Sequence, residues 1–298
     1  MKYAIKLKTF ICYQNICNNH IIPILGNKRM NELTVDIIQE FLYHKLENGN
    51  LKTGSSLSIN SLLAIVSVLK QALKQASLLK IVEQDCTIGL KIPSSYEKQV
   101  EAFDRHEQSV IEHFCLHHPH KNYIGILICL YTGIRLGELL ALTWTDIDFE
   151  RGWLTINKTV SFVCQNGKYT KYIDSPKTKQ SNRTIPLSKE LLLLLKEQKR
   201  THHSIYVLST KRGNIVSSRS YQRTFQSLLE RCQIPYKNFH ALRHTFATRA
   251  LELGMDVKTL SEILGHKDAT ITLNRYSHSL MDYKTSLLNK LGEHLGKI

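Results

Sequence analysis

The chain has 298 residues, enough for two domains, and 42% of them are hydrophobic, enough to bury a core. With 40 Lys and Arg against 25 Asp and Glu, the net charge is +15, an excess that points to a polyanionic partner, of which nucleic acid is the commonest. The basic residues are dispersed rather than gathered on one amphipathic segment, and no apolar run approaches the ~20 residues of a membrane span, so no membrane role is expected.

The N-terminal M-K-Y-A-I-K-L-K-T-F lacks the long apolar stretch and cleavage site of a secretory signal. After a turn at Gly26, apolar residues at helical spacing predict a helix over residues 33–46. A Gly- and Ser-containing linker over 48–56 precedes a second amphipathic helix over 58–79. One side of it carries Leu62, Ile65, Val66, Leu69, Leu73 and Ala76, the other Lys70, Lys74 and Lys80. Those lysines fit either a solvated helix face or phosphate contact. The polar P-S-S-Y-E-K-Q after Ile92 marks a domain boundary.

Helices resume near Asp104 and Asn122, the latter stopping at Gly133, which turns the chain before Arg135. A short helix over 136–142 follows. Between 153 and 187 the period changes: W-L-T-I-N, K-Y-T-K-Y-I-D and R-T-I-P-L are β-rich runs separated by N-G and by K-T-K-Q-S-N. They predict a three-stranded antiparallel sheet. Ser188 is an N-cap for the leucine-rich helix through Lys199. Further helices are expected over 217–232, 239–253, 257–264, 269–276 and after Ser279. The fold class is mainly α with a small antiparallel β-sheet (α+β): a helical domain over 1–92, a linker over 93–101, and a second domain over 102–298 ending in a tail helix.

The last third carries the chemistry. His240 and Arg243 stand three apart at a helix start and share a face, where a phosphate also fits. An arginine fork donates two parallel hydrogen bonds and never deprotonates. Arg135 and Arg243 could therefore grip both non-bridging oxygens of a phosphate and stabilise a five-coordinate phosphorus. Taken singly, either could be an ordinary surface or ion-pair arginine, and Arg135 lies three residues from Glu138, within helical pairing range. Tyrosine, with a pKa of ~10, attacks only if cations and a base assist it. Tyr276 is singled out from 13 tyrosines by its neighbours Arg275, His278 and the nearby His266. A departing sugar hydroxyl needs a proton donor. Lys177, near the tip of the expected hairpin, could supply it, as could Lys179, Lys171 or Arg183.

Competing chemistries lack their residues. His240 and His244 have a metal-compatible spacing but no adjacent Glu, and His117, His118 and His120 read as a polar loop. Neither G-x-x-x-x-G-K-[ST] nor G-x-G-x-x-G occurs. The seven cysteines, Cys12, Cys17, Cys86, Cys115, Cys129, Cys164 and Cys232, form no C-x-x-C pair. They read as reduced thiols of a cytoplasmic protein.

T-G-I-R-L-G-E-L-L-A-L around Arg135, and H-A-L-R-H-T-F-A-T-R continuing through L-G-H to N-R-Y-S-H, resemble the two signature boxes of the tyrosine recombinase (phage integrase) family. S-P-K-T-K-Q-S-N-R-T-I-P-L resembles the family's catalytic-lysine hairpin. N-N-H-I-I-P-I-L-G followed by L-T-V-D-I-I-Q-E-F-L resembles the helical core-site-binding domain of integrases from conjugative transposons and prophages.

The resemblance implies that Arg135 and Arg243 clamp the scissile phosphate and that Lys177 protonates the departing 5′-hydroxyl. It makes His240 the acid/base and His266 a phosphate hydrogen-bonder. Tyr276 becomes the nucleophile of a 3′-phosphotyrosyl link. It implies a site-specific recombinase that needs no metal, ATP or other cofactor. Its partner would be double-stranded DNA, held by a homo-tetramer on two sites, with an excision factor or DNA-bending protein as possible helpers. Lys70, Lys74, Lys179 and Arg183 are further expected DNA contacts. The chain has no room for a separate arm-site-binding domain, and it reads as starting partway into the first core-binding helix. Two other classes share parts of the pattern: a type IB topoisomerase, which would relax supercoils without exchange, and a non-catalytic DNA-binding regulator.

Overall fold

The computed structural model describes residues 5–82, 86–93, 101–118, 120, 122–165, 168–174, 182–201, 203–266, 268–270, 272–273 and isolated positions between 285 and 295. The chain divides into two compact units, Met1–Lys98 and Gln99–Ile298.

In the first unit, α1 (Leu7–Ile16) runs through a π turn (Cys17–Ile21) into α2 (Ile22–Leu25). Pro23 lies in the first turn of α2; its ring would meet the carbonyl four residues back in a regular helix, and the widened turn before it relieves that contact. α3 (Val35–Asn48) and α4 (Ile59–Leu78) start at hydroxyl caps, Thr34 and Ser58, whose oxygens accept from the amides of Ile37 and Ser61. Their apolar stripes close the core: Ile38, Phe41 and Leu42 meet Leu62, Ile65, Leu69 and Leu73. The Gln71 amide donates to the Tyr13 hydroxyl at 2.9 Å, tying α4 to α1. Lys70 and Lys74 project from the exposed side of α4. Lys80 lies past the helix end, with φ at 56°.

The second unit opens with α5 (Arg105–His117), set by a reciprocal capping box in which Asp104 accepts the Glu107 amide and Glu107 accepts the Asp104 amide. α6 (Ile124–Thr132) is apolar on nearly every side and almost wholly buried, as a central helix must be. Gly133, at φ 64°, ends it. α7 (Leu136–Ala141) follows. Then come β1 (Ile147–Asp148), β2 (Trp153–Ile156), β3 (Thr159–Gln165), β4 (Lys168–Asp174) and β5 (Arg183–Pro186). The remaining named helices are α8 (Lys189–Thr201), α9 (Ser218–Arg231), α10 (His240–Glu252) and α11 (Val257–Leu264). α6 packs on α8 and α10, and α11 packs on α10 and β5. Cys115 and Cys129 lie within this core, where burial pushes both thiols up from their ordinary range.

The strands pair differently from the sequence expectation. Among the described residues, β1, β2 and β5 form one antiparallel sheet, and β3 and β4 form a separate two-stranded one. The run K-Y-T-K-Y-I-D pairs with T-V-S-F-V-C-Q, Gln165 opposite Lys168, not with W-L-T-I-N. The reason is local: an N-G connection pairs the strand after it with the strand immediately before it, and that strand is residues 159–165. β4 and β5 thus lie in different sheets and do not pair as the expected hairpin, and Lys177 between them lies outside the described residues.

Candidate active site

Five elements bring their ends to one place: the C-terminus of α6, the N-terminus of α7, the first turn of α10, the C-terminus of α11 and the start of β5. α11 ends in a Schellman turn. Gly265, at φ 64°, gives its amide to Glu262 O, and the His266 amide reaches Ser261 O, both at 3.0 Å. The next three carbonyls are taken by arginines. Arg183 Nε donates to Ile263 O, Arg243 Nη2 to Leu264 O at 2.8 Å, and Arg135 Nη2 to Gly265 O at 3.1 Å.

Arg243 is buried, 3% exposed, and its Nη1 also donates to Gly133 O at 2.7 Å. Its Nη2 lies 2.8 Å from His266 Nε2. A guanidinium has no acceptor, so His266 accepts there and carries its proton on Nδ1, which donates to Thr272 Oγ1 at 2.7 Å. The tautomer of His266 is therefore set by Arg243, and the Thr272 hydroxyl, able to donate or accept, follows it. Arg135 is more open, with 37% of its side chain exposed, and it pairs with Glu138 at 2.9 Å. The ion-pair reading of Arg135 holds, and its Nη2 also reaches the end of α11 at Gly265 O.

Glu138 is only 4% exposed. Burial pushes its carboxyl up, but the Arg183 guanidinium, through charge and hydrogen bonds, and then Arg135 outweigh burial and hold it below the ordinary carboxylate value. Its role as a bridge between two arginines was missed, although R-L-G-E places it one helical turn from Arg135.

Arg183 requires a correction. The sequence reading makes it a DNA contact, but its Nε is bound to Ile263 O and both terminal nitrogens to the Glu138 carboxylate. The signal was present in R-T-I-P: strands alternate faces, so Arg183 shares the inward face with buried Ile185.

His240 is exposed at the start of α10, and its ring meets that of His244 edge to face, with centroids 4.8 Å apart. Lys177, Lys179 and Tyr276 lie outside the described residues, as do half of 269–276 and most of the tail after Ser279. Among the described residues, no group of three or more His, Cys, Asp and Glu side chains is arranged to hold a metal ion. Likewise, no helix there is long and apolar enough to cross a membrane.

One buried and one half-open arginine, a histidine and a bridging carboxylate are thus brought together from several chain segments. The description "Phage integrase family" matches residues 97–282, and "Phage integrase, N-terminal SAM-like domain" matches residues 1–46. A tyrosine recombinase XerC-like protein of Caldanaerobacter subterraneus subsp. tengcongensis is 31% identical, over 97% of this chain and 78% of its own. The fold is shared with the Tn1549 transposon integrase in complex with transposon right end DNA, at a TM-score of 0.78 and 23% identity over 97% and 95% of the two chains. It is shared also with a lambda integrase tetramer bound to a Holliday junction, at 0.68 and 20% over 91% and 72%. The chain belongs to the phage integrase family. It is a site-specific recombinase of the tyrosine class.

Proposed function

We propose that the chain cuts and rejoins double-stranded DNA to integrate or excise a mobile element, using Tyr276 as nucleophile. The phenolic oxygen of Tyr276 attacks the scissile phosphorus and loses its proton to His240. The bond from phosphorus to the 5′-oxygen breaks, and Lys177 protonates that oxygen. Arg135 and Arg243 hold the non-bridging oxygens as charge builds on them, and His266 adds a hydrogen bond. A 5′-hydroxyl from a second duplex then attacks the phosphotyrosyl link and releases the tyrosine. Bond energy is conserved in that link, so neither ATP nor metal takes part.

The convergence of Arg135, Arg243 and His266 on the end of α11 is the observation that carries this reading. In it, the helical unit and the larger unit grip the duplex together, and Lys70, Lys74 and Lys179 meet phosphates. The assembly is a homo-tetramer on two DNA sites, in the cytoplasm, where an excision factor or DNA-bending protein can act with it.

The test is covalent trapping. Purified protein is mixed with sheared DNA from its source in EDTA, denatured, and the attached DNA sequenced. Adducts that vanish in Tyr276→Phe, with ends clustered at one sequence, are expected. Adducts that survive that substitution would move the nucleophile elsewhere. Relaxation of supercoiled DNA without exchange between duplexes would favour the topoisomerase class.

A further inference from the structure

Of the three arginines at the end of α11, Arg183 is the one whose two terminal nitrogens are both committed to the Glu138 carboxylate. Arg135 is 37% exposed at its side chain and Arg183 only 6%. Arg183 nevertheless makes a directed set of bonds. Its Nε donates to Ile263 O, and its Nη1 and Nη2 donate to the two oxygens of Glu138 at 3.3 and 2.9 Å. Glu138 Oε1 also accepts from Arg135 Nη1 at 2.9 Å, and Oε2 accepts the Arg135 amide at 3.0 Å. The carboxylate thus holds Arg135 by backbone and side chain together, and Arg183 holds the carboxylate. Unmet carbonyls at a helix end carry partial negative charge and favour a cationic donor.

The packing around this contact is close. A Cβ on Gly265 would lie 3.0 Å from Arg183 Nη1 and 3.1 Å from its Cδ, so the side chain lies directly on the turn that precedes His266. Arg183 is also fixed from below: β5 pairs with β2, placing Arg183 opposite Ile156.

We infer that Arg183 is a positioning residue for strand cleavage: from β5 it bolts the end of α11 to Glu138, and so sets Arg135 and His266 at a fixed separation around the phosphate. The inference rests on the recombinase reading above. A planar fork can reach a carbonyl and both carboxylate oxygens together; a lysine ammonium, a single point of charge, cannot hold all three.

The test uses the full chain and a duplex carrying the site recovered by covalent trapping, nicked so that cleavage cannot reverse. The unmodified protein is compared with Arg183→Met, Arg183→Lys and Glu138→Gln, and with the double variant of Arg183→Met and Glu138→Gln. DNA affinity and its salt dependence are measured beside the adduct-forming rate at saturating DNA. For Arg183→Met, affinity within about twofold and an unchanged salt slope are expected. Its rate should fall about 100-fold, the scale of a small misplacement of catalytic groups. Arg183→Lys should recover part of that loss, and the double variant should be no slower than the slower single one.

A rate for Arg183→Met within about threefold of the unmodified protein overturns the inference. So does a salt slope reduced by about 1, which is the mark of a lost phosphate contact. If Arg183→Met does not fold, Arg183→Lys decides: full rate at saturating DNA overturns the inference, and a slower rate with unchanged affinity supports it. No adduct even with the unmodified protein sinks the recombinase reading, and this inference with it.

Discussion

Two guanidiniums, those of Arg135 and Arg183, lean on the one buried carboxylate of Glu138. Removing one partner of a buried ion pair leaves an uncompensated charge, which costs about 3–5 kcal/mol. Glu138→Gln should therefore lower stability by about 3 kcal/mol at pH 7, read as a shifted denaturant midpoint. The pH dependence has a definite sign. The carboxyl is held below its ordinary value of 4.5 in the folded protein, so its contribution is complete above about that pH. It is lost as the pH falls through the lowered folded value. The gap between the unmodified protein and Glu138→Gln should thus close on acidification below about 4.5; a gap constant down to pH 2 would mean that Glu138 acts by shape, not charge. At this scale much of the site was legible. His240, Arg243 and His266 stand in recognisable spacing, and Arg135 one turn from Glu138. Arg183 was not, because composition assigns a basic residue to the surface, and only strand alternation with Ile185 assigns it inward.

Helix boundaries followed from caps that are visible in sequence. Ser58, Asp104, Ser188 and Ser217 each precede an apolar-periodic run, and each caps a helix. Strand pairing did not follow, since pairing is a choice among partners and β-rich runs do not state it; only the N-G connection of β3 and β4 did so. Glycines at helix ends were legible as stops but not as anchors. Gly133 both ends α6 at φ 64° and gives its carbonyl to Arg243. A Cβ there would lie 2.5 Å from Phe246 Cδ1 and 2.8 Å from Leu264 Cδ2. Gly133→Ala should cost about 1–2 kcal/mol for the left-handed backbone and a further ~1–3 kcal/mol for displacing those side chains. Because the anchor of Arg243 moves with the turn, adduct formation should slow even below the unfolding transition. A variant that loses stability yet keeps its full rate would separate the turn from the site.

Over the whole chain, each of the two units has its own core, and they meet in sequence at the polar stretch that follows Ile92. That boundary was readable because periodicity stops there, whereas the joint grip on DNA is a proposal that a binding experiment can test. The net charge of +15 is large enough for phosphate neutralisation to dominate affinity. Each phosphate neutralised releases condensed counterions, so log K should fall with log salt by about 0.9 per phosphate. A grip on about 6–10 phosphates would lose ~10³–10⁵ in affinity between about 50 and 200 mM salt. Lys70 and Lys74, both exposed on α4, should each lower that slope by about 1 when changed to Ala, and weaken binding to all sequences alike. Buried Arg183 should leave the slope untouched. Titrating a labelled duplex at several salt concentrations with these variants distinguishes the surfaces. If Lys70→Ala and Lys74→Ala leave the slope unchanged, the exposed side of α4 faces solvent in the complex, and the helical unit must meet the duplex through another face. If the slope is flat for the unmodified protein as well, the charge excess has some purpose other than holding DNA, and the paired grip by both units is wrong.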